Sequence, residues 1–181
     1  MKPVSPLPLL GLAPLLGTSD LLVKALGITL VALPLLTLFG AALPTLRRLL
    51  QGRALWLGAS LLAGALIGAA QLLMQAAAFE LLRALGPFLA LLALPCLLLV
   101  AHEPAGPGTG LRQGLVFASF ALALGALREL LGHASLLAHG EWLGLGALHW
   151  QAAGDGLPLF ASAPGGLILL GLLLALARLK P

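Results

Sequence analysis

The sequence predicts an all-α integral membrane protein. Six transmembrane segments fall into two inverted three-segment repeats, each opening with a broken or half-membrane helix. Three observations carry this reading. The chain of 181 residues is 60% hydrophobic and only 9% charged, with a mean hydropathy of +1.08, whereas soluble domains carry about 25% charged residues. Its apolar runs are built of Leu and Ala with few β-branched residues and no period-two alternation, which selects helices over an outer-membrane barrel. Its basic residues fall beside the apolar runs in an uneven pattern, as in membrane proteins with a fixed orientation.

Six apolar segments can be drawn, at Pro6–Leu22, Ala25–Leu46, Ala54–Met74, Leu81–Ala101, Leu111–Leu131 and Ser162–Ala177. Most are near the ~20 residues that cross the hydrocarbon core. The first contains "PLPLLGLAPLLGTSD", whose prolines and glycines interrupt a helix. Proline removes a backbone donor and clashes with the preceding turn. Bare backbone is not tolerated against lipid, so this segment is expected to be a half-membrane helix packed on protein. Lys2 and the apolar run behind it resemble a signal peptide in part. The prolines, and the lack of a small-x-small site before Asp20, argue for retention. The fourth segment repeats the interruption in "LGPFLALLALPCLLLV", with Gly86-Pro87 at its start and Pro95 inside it.

The charges fix an orientation. One face receives Lys2, Arg47, Arg48, Arg53, Arg112, Arg178 and Lys180. The other receives Lys24, Arg83 and Arg128, with Asp20, Glu80, Glu129, Glu141 and Asp155. The positive-inside rule then places both termini in the cytoplasm of a multi-pass membrane protein. The chain is expected to be one membrane domain, 1–181, with a first repeat at about 6–79 and a second at about 80–181. Three spans per half invert the second repeat relative to the first. Broken helices at corresponding positions of inverted halves point to a site near the membrane midplane. Between the fifth and sixth segments, about 133–160, Trp142 and Trp150 mark an interfacial, non-cytoplasmic loop. The net charge of +4 is too small and too dispersed for a nucleic-acid surface.

Few residues bear chemistry. Gln71 and Gln75 share a face of the third segment. An amide in hydrocarbon needs a partner, so that face is expected to be buried in protein, for interhelical hydrogen bonding or for lining an ion or cofactor. Ser60, Gly64 and Gly68 recur every four residues on the same span and allow a neighbouring helix to approach closely. Arg128-Glu129 reads either as a charge pair with a snorkelling arginine or as an anchor for a partner helix or a passing ion. His102, His133, His139 and His149 show no helical ligand spacing. No phosphate loop, nucleophile elbow or intramembrane acid pair is present, which argues against a self-contained enzyme. Cys96 is the only cysteine. A lone thiol among leucines packs as a small hydrophobe. The alternative is one ligand of an iron–sulfur centre, which takes four thiolates and would have to draw on another subunit.

Four blocks carry a family resemblance. "LLGLAPLLGTSDLLVKALGITL" (Leu9–Leu30), "AQLLMQAAAFELLRALGPF" (Ala70–Phe88), "LGALRELLG" (Leu124–Gly132) and "LFASAPGGLILLGLLLAL" (Leu159–Leu176) resemble, in order and spacing, the E-type subunit of the Rnf ion-translocating oxidoreductase complex. The D-type subunit of the sodium-pumping NADH:quinone reductase is similar. The resemblance implies a membrane subunit that pairs with a sister, the A-type subunit, of opposite topology, among flavin-bearing and iron–sulfur subunits. It implies a [2Fe–2S] cluster at the midplane, shared between the sisters with two cysteines from each. Electrons would cross the membrane there, coupled to sodium or proton movement. Carried over by position, one cluster ligand falls on Cys96. Its counterpart, in a motif of the "LGLCPLL" type, falls on Ala13, and a methyl group cannot ligate iron. The missing ligand would then come from a nearby group such as Asp20, from the partner, or not at all. At the start of the fifth segment, where the family often has an acidic residue before the glycine, this chain has Thr109-Gly110. A small secondary transporter, or a subunit of the same complex without its cluster, are the alternatives.

Overall fold

A computed structural model describes residues 14–101, 106–137, 150–151 and 156–179. Residues 6–13 of the first predicted segment, including Ala13, lie outside these residues. Its described end is a single helical turn, α1 (Leu15–Thr18). There follow α2 (Leu22–Leu49), α3 (Arg53–Ala77), α4 (Phe79–Leu85), a 3-10 segment (Gly86–Leu92), α5 (Ala93–Ala101) and α6 (Pro107–His133). A two-residue antiparallel ladder pairs β1 (Ser135–Leu136) with β2 (Trp150–Gln151). The chain then forms α7 (Pro158–Ala161) and α8 (Ala163–Leu179).

Among the described residues, four stretches are long and apolar enough to cross a membrane: α2, α3, Phe79–Ala101 and α6. The apolar part of α8 is shorter. With 28 residues, α2 spans roughly 42 Å at 1.5 Å per residue, more than the ~30 Å core. Pro34 and Pro44 lie inside it. Membrane helices tolerate such prolines where neighbouring groups take up the freed backbone. Arg47 and Arg48 close its last turn, where the helix dipole favours cations.

The centre of the molecule is the antiparallel pair α2/α6. Phe39, Leu36 and Leu43 of α2 and Phe117, Ala121 and Leu124 of α6 are buried. The two backbones approach through small residues. A Cβ on Gly110 would fall 2.2 Å from Leu36 O, and one on Gly125 would fall 2.7 Å from Ala25 Cβ. Without a strong hydrophobic drive between helices in lipid, such close van der Waals packing holds them together. Around this pair, α3 buries only Ala59, Ala63, Ile67 and Met74. Its other faces carry exposed Leu57, Leu61, Leu72 and Leu73.

Of the two interruptions read from the sequence in the fourth segment, the structure breaks at Gly86-Pro87 and not at Pro95. The break is at Gly86, whose φ of +51° ends α4, and a 3-10 segment follows. Pro95 and Cys96 sit inside regular α5. Pro95 is the third residue of that helix, where a missing N–H is one that no intrahelical carbonyl awaits.

Candidate functional site

The two interrupted segments meet. A Cβ on Gly17, in α1, would fall 2.0 Å from Cε1 of Phe88, in the 3-10 segment. Just beyond lies α5, with Cys96 fully buried, as are Leu89, Leu92 and Leu99 around it. Two polar side chains from other helices hold this helix. Gln113 Nε2 of α6 donates to Pro95 O at 3.2 Å. Arg47 Nη2 of α2 donates to Val100 O at 2.7 Å. Sequence reasoning missed both roles. It places Arg47 among the orienting charges, and the neighbouring Arg48 is indeed exposed. Gln113 is the only glutamine of the fifth apolar segment, and that isolation is the signal that could have found it.

A second polar locus lies at the opposite end of the α2/α6 pair. Arg128 is 2% exposed and Glu129 is 0% exposed, so the arginine does not snorkel. Its Nε donates to Phe160 O at 3.2 Å, Nη1 to Ser19 Oγ at 3.0 Å and Nη2 to Ser162 O at 3.2 Å. One guanidinium thus ties α6 to the end of α1 and to the α7–α8 elbow. Glu129 Oε2 accepts from Leu22 N–H at 2.6 Å, a donor of the first turn of α2 that no intrahelical carbonyl can satisfy. The pair therefore binds this chain's own segments. Asp20 Oδ2, close by in sequence, accepts from Lys24 Nζ at 2.7 Å.

The amides of α3 are placed differently from expectation. Gln75 is exposed and Gln71 half-buried, so this chain does not bury their face. Ser60 and Gly64 are exposed on the same side, and a Cβ on Gly64 or Gly68 would meet nothing within 4 Å. An apolar groove of about 380 Å³ between α2 and α3, lined by Leu30, Pro34, Leu38, Leu66, Leu73 and Met74 among others, offers no polar side chain. His133 ends α6. His102, His139, His149 and Trp142 lie outside the described residues.

A [2Fe–2S] cluster needs four thiolates. This chain has one cysteine, and its side chain is enclosed by the chain's own core. Among the described residues no three His, Cys, Asp or Glu side chains gather as a ligand group. The counterpart position, Ala13, has no donor. By themselves these residues do not fit a cluster: one enclosed thiol is the whole of the chain's thiolate supply.

The long apolar helices around a glycine-packed central pair define a multi-pass helical membrane protein. A sequence profile described as "Rnf-Nqr subunit, membrane protein" matches residues 4–174. The E-type subunit of the ion-translocating oxidoreductase complex of Pseudomonas aeruginosa (strain UCBPP-PA14) is 38% identical over 181 residues, covering 93% of this chain and 76% of its own. The protein of the same name from Edwardsiella ictaluri (strain 93-146) is 35% identical over 153 residues, covering 80% and 64%. Another from Thioalkalivibrio sulfidiphilus (strain HL-EbGR7) is 32% identical over 188 residues, covering 94% and 81%. The chain belongs to the Rnf-Nqr family of membrane subunits.

Proposed function

We propose that this chain is a membrane subunit of an Rnf-type ion-translocating oxidoreductase complex of the bacterial inner membrane. It pairs there with its sister, the A-type subunit, beside the flavin-bearing and iron–sulfur subunits. In this reading the complex moves electrons across the bilayer and couples them to sodium or proton transport. This chain supplies half of the membrane framework and no cluster ligand of its own. Family membership carries the assignment to the complex, and the single enclosed thiol carries the assignment of a framework role.

The ligand reading of Cys96 has one observation in its favour: Gln113 and Arg47 hold the Cys96 helix near its start and near its end. Electron paramagnetic resonance and iron content of the purified complex separate the two readings. With a framework role, Cys96→Ala leaves the iron content and the reduced-state signal unchanged. Loss of a [2Fe–2S] signal in that variant would restore the ligand role.

The inverted repeat is supported by matched intervals. Pro14 and Pro95, and Arg47 and Arg128, are like residues separated by the same number of positions. The charge pattern supports a cytoplasmic position for both termini. That pattern sharpens once Arg128 is recognised as a buried helix residue rather than a flanking charge.

The sister is proposed to dock on the face of α3 that carries Ser60, Gly64, Gly68, Gln71 and Gln75. Gln71 lies roughly 9 Å from the middle of α3 along its axis, inside the ~30 Å core. Lipid has no partner for its amide, whereas a protein helix does, and the small residues let that helix come close. Gly64→Leu is expected to leave the chain folded but to lower its co-isolation with the sister several-fold, measured by quantitative mass spectrometry of the purified complex. Unchanged stoichiometry would move the interface elsewhere.

A further inference from the structure

We infer that Arg47 and Arg128 are a crossed pair of staples. Each stands near the C-terminal end of the long central helix of one half, and each holds the exit of the interrupted helix of the other half. The inference rests on the inverted-repeat reading for the match between the two, but not for the contacts themselves.

The last carbonyls of a helix have no intrahelical donor, and a short helix has little else to hold its end in place. At the end of α5 a guanidinium supplies the donor, Arg47 Nη2 to Val100 O at 2.7 Å. At the end of α1, Ser19 is the capping residue. Its N–H donates to Leu15 O at 3.1 Å, and its hydroxyl also donates to Leu15 O. The Ser19 hydroxyl in turn accepts from Arg128 Nη1 at 3.0 Å. Ser19 and Val100 stand at the interval that separates the two arginines. A cation is favoured at both sites because the carbonyl end of a helix carries partial negative charge, and hydrogen bonds from an ionised donor are the stronger kind. The staples lie at opposite ends of the antiparallel α2/α6 pair. Neither half therefore seats its interrupted helix without the other.

The chain carries a native reporter. Cys96 is its only thiol and is fully buried in the helix that Arg47 holds. Leu15, which precedes Cys96 by the interval that separates the two arginines, is also fully buried and lies in the helix that Arg128 holds. The test follows the rate of labelling by a membrane-permeant maleimide in the purified complex. One background keeps Cys96. The other carries Cys96→Ala with Leu15→Cys. Arg47→Gln is expected to speed labelling of Cys96 about tenfold, the factor that one charge-assisted hydrogen bond carries, and to leave position 15 protected. Arg128→Gln is expected to do the reverse. Lysine at either position, which retains charge and one donor, should give intermediate rates and keeps the test open should glutamine prevent folding. Equal acceleration at both positions by either change, or none at either, would overturn the crossed arrangement. Reporter fusions at the two chain ends read the repeat separately. Ends on opposite faces would sink the repeat and leave a crossed labelling pattern standing.

Discussion

Replacing Gly110 with leucine is expected to lower sharply both the folded fraction in detergent extracts and its thermal midpoint. The reason is where the new atoms must go. Even a Cβ at this position falls 2.2 Å from Leu36 O, 3.0 Å from Leu36 C and 3.2 Å from Thr37 Cα. All three are backbone atoms of α2, so no side-chain rotation relieves the clash. The α2/α6 pair must separate, and with it the packing of Leu36, Phe39 and Phe117. The expected cost is about 3 kcal/mol, the upper end of the usual range for overpacking, and a membrane protein of ordinary stability does not absorb it easily. The measurement is the monodisperse fraction after extraction together with the thermal midpoint. Gly64→Ala is the control, since nothing lies within 4 Å of its Cβ, and its midpoint should match the parent. A Gly110→Leu variant that extracted and melted like the parent would show that α2 and α6 do not meet at this glycine.

Glu129→Leu should be nearly as damaging, for a polar reason. Leucine matches the volume but offers no acceptor to Leu22 N–H, which Glu129 Oε2 now meets at 2.6 Å. The residue is 0% exposed, so water cannot take over. A hydrogen bond to a charged group contributes about 1.5–3 kcal/mol, and an abandoned buried donor adds to the loss. Glu129→Gln keeps an oxygen at the same reach and should restore more than half of the stability in the same thermal assay. Equal losses for leucine and glutamine would mean that charge, not the acceptor, holds the start of α2.

These effects show which parts of the fold are legible without the structure. The leucine runs mark the long helices within a few residues, because span length is dictated by bilayer thickness. The glycines of the fifth segment do not announce their partner. Gly110 meets Leu36 across the antiparallel pair, and no local pattern encodes that register. The interruption of the fourth segment is legible, and of its two candidate places, Gly86-Pro87 and Pro95, the structure uses the first. Pro95 draws attention because proline usually breaks a helix, yet it occupies a helix start, and the positive φ at Gly86 makes the break.

The candidate site is legible in its residue types and much less in its contacts. Cys96 and the Arg128-Glu129 pair stand out as rare groups in an apolar chain. Their surroundings depend on segments far apart in sequence: Arg128 reaches Ser19, Phe160 and Ser162. The amides of α3 mislead in an informative way. Their chemistry asks for cover, and this chain leaves Gln75 exposed.

The central claim is that this chain works as one subunit of a membrane oxidoreductase complex. The most direct test is the subunit composition of the affinity-tagged chain purified from its native membranes. The account predicts co-isolation with its sister membrane subunit at a ratio near one to one, together with the flavin-bearing subunits. A chain that purified without them, yet retained transport of a small solute in vesicles, would contradict it.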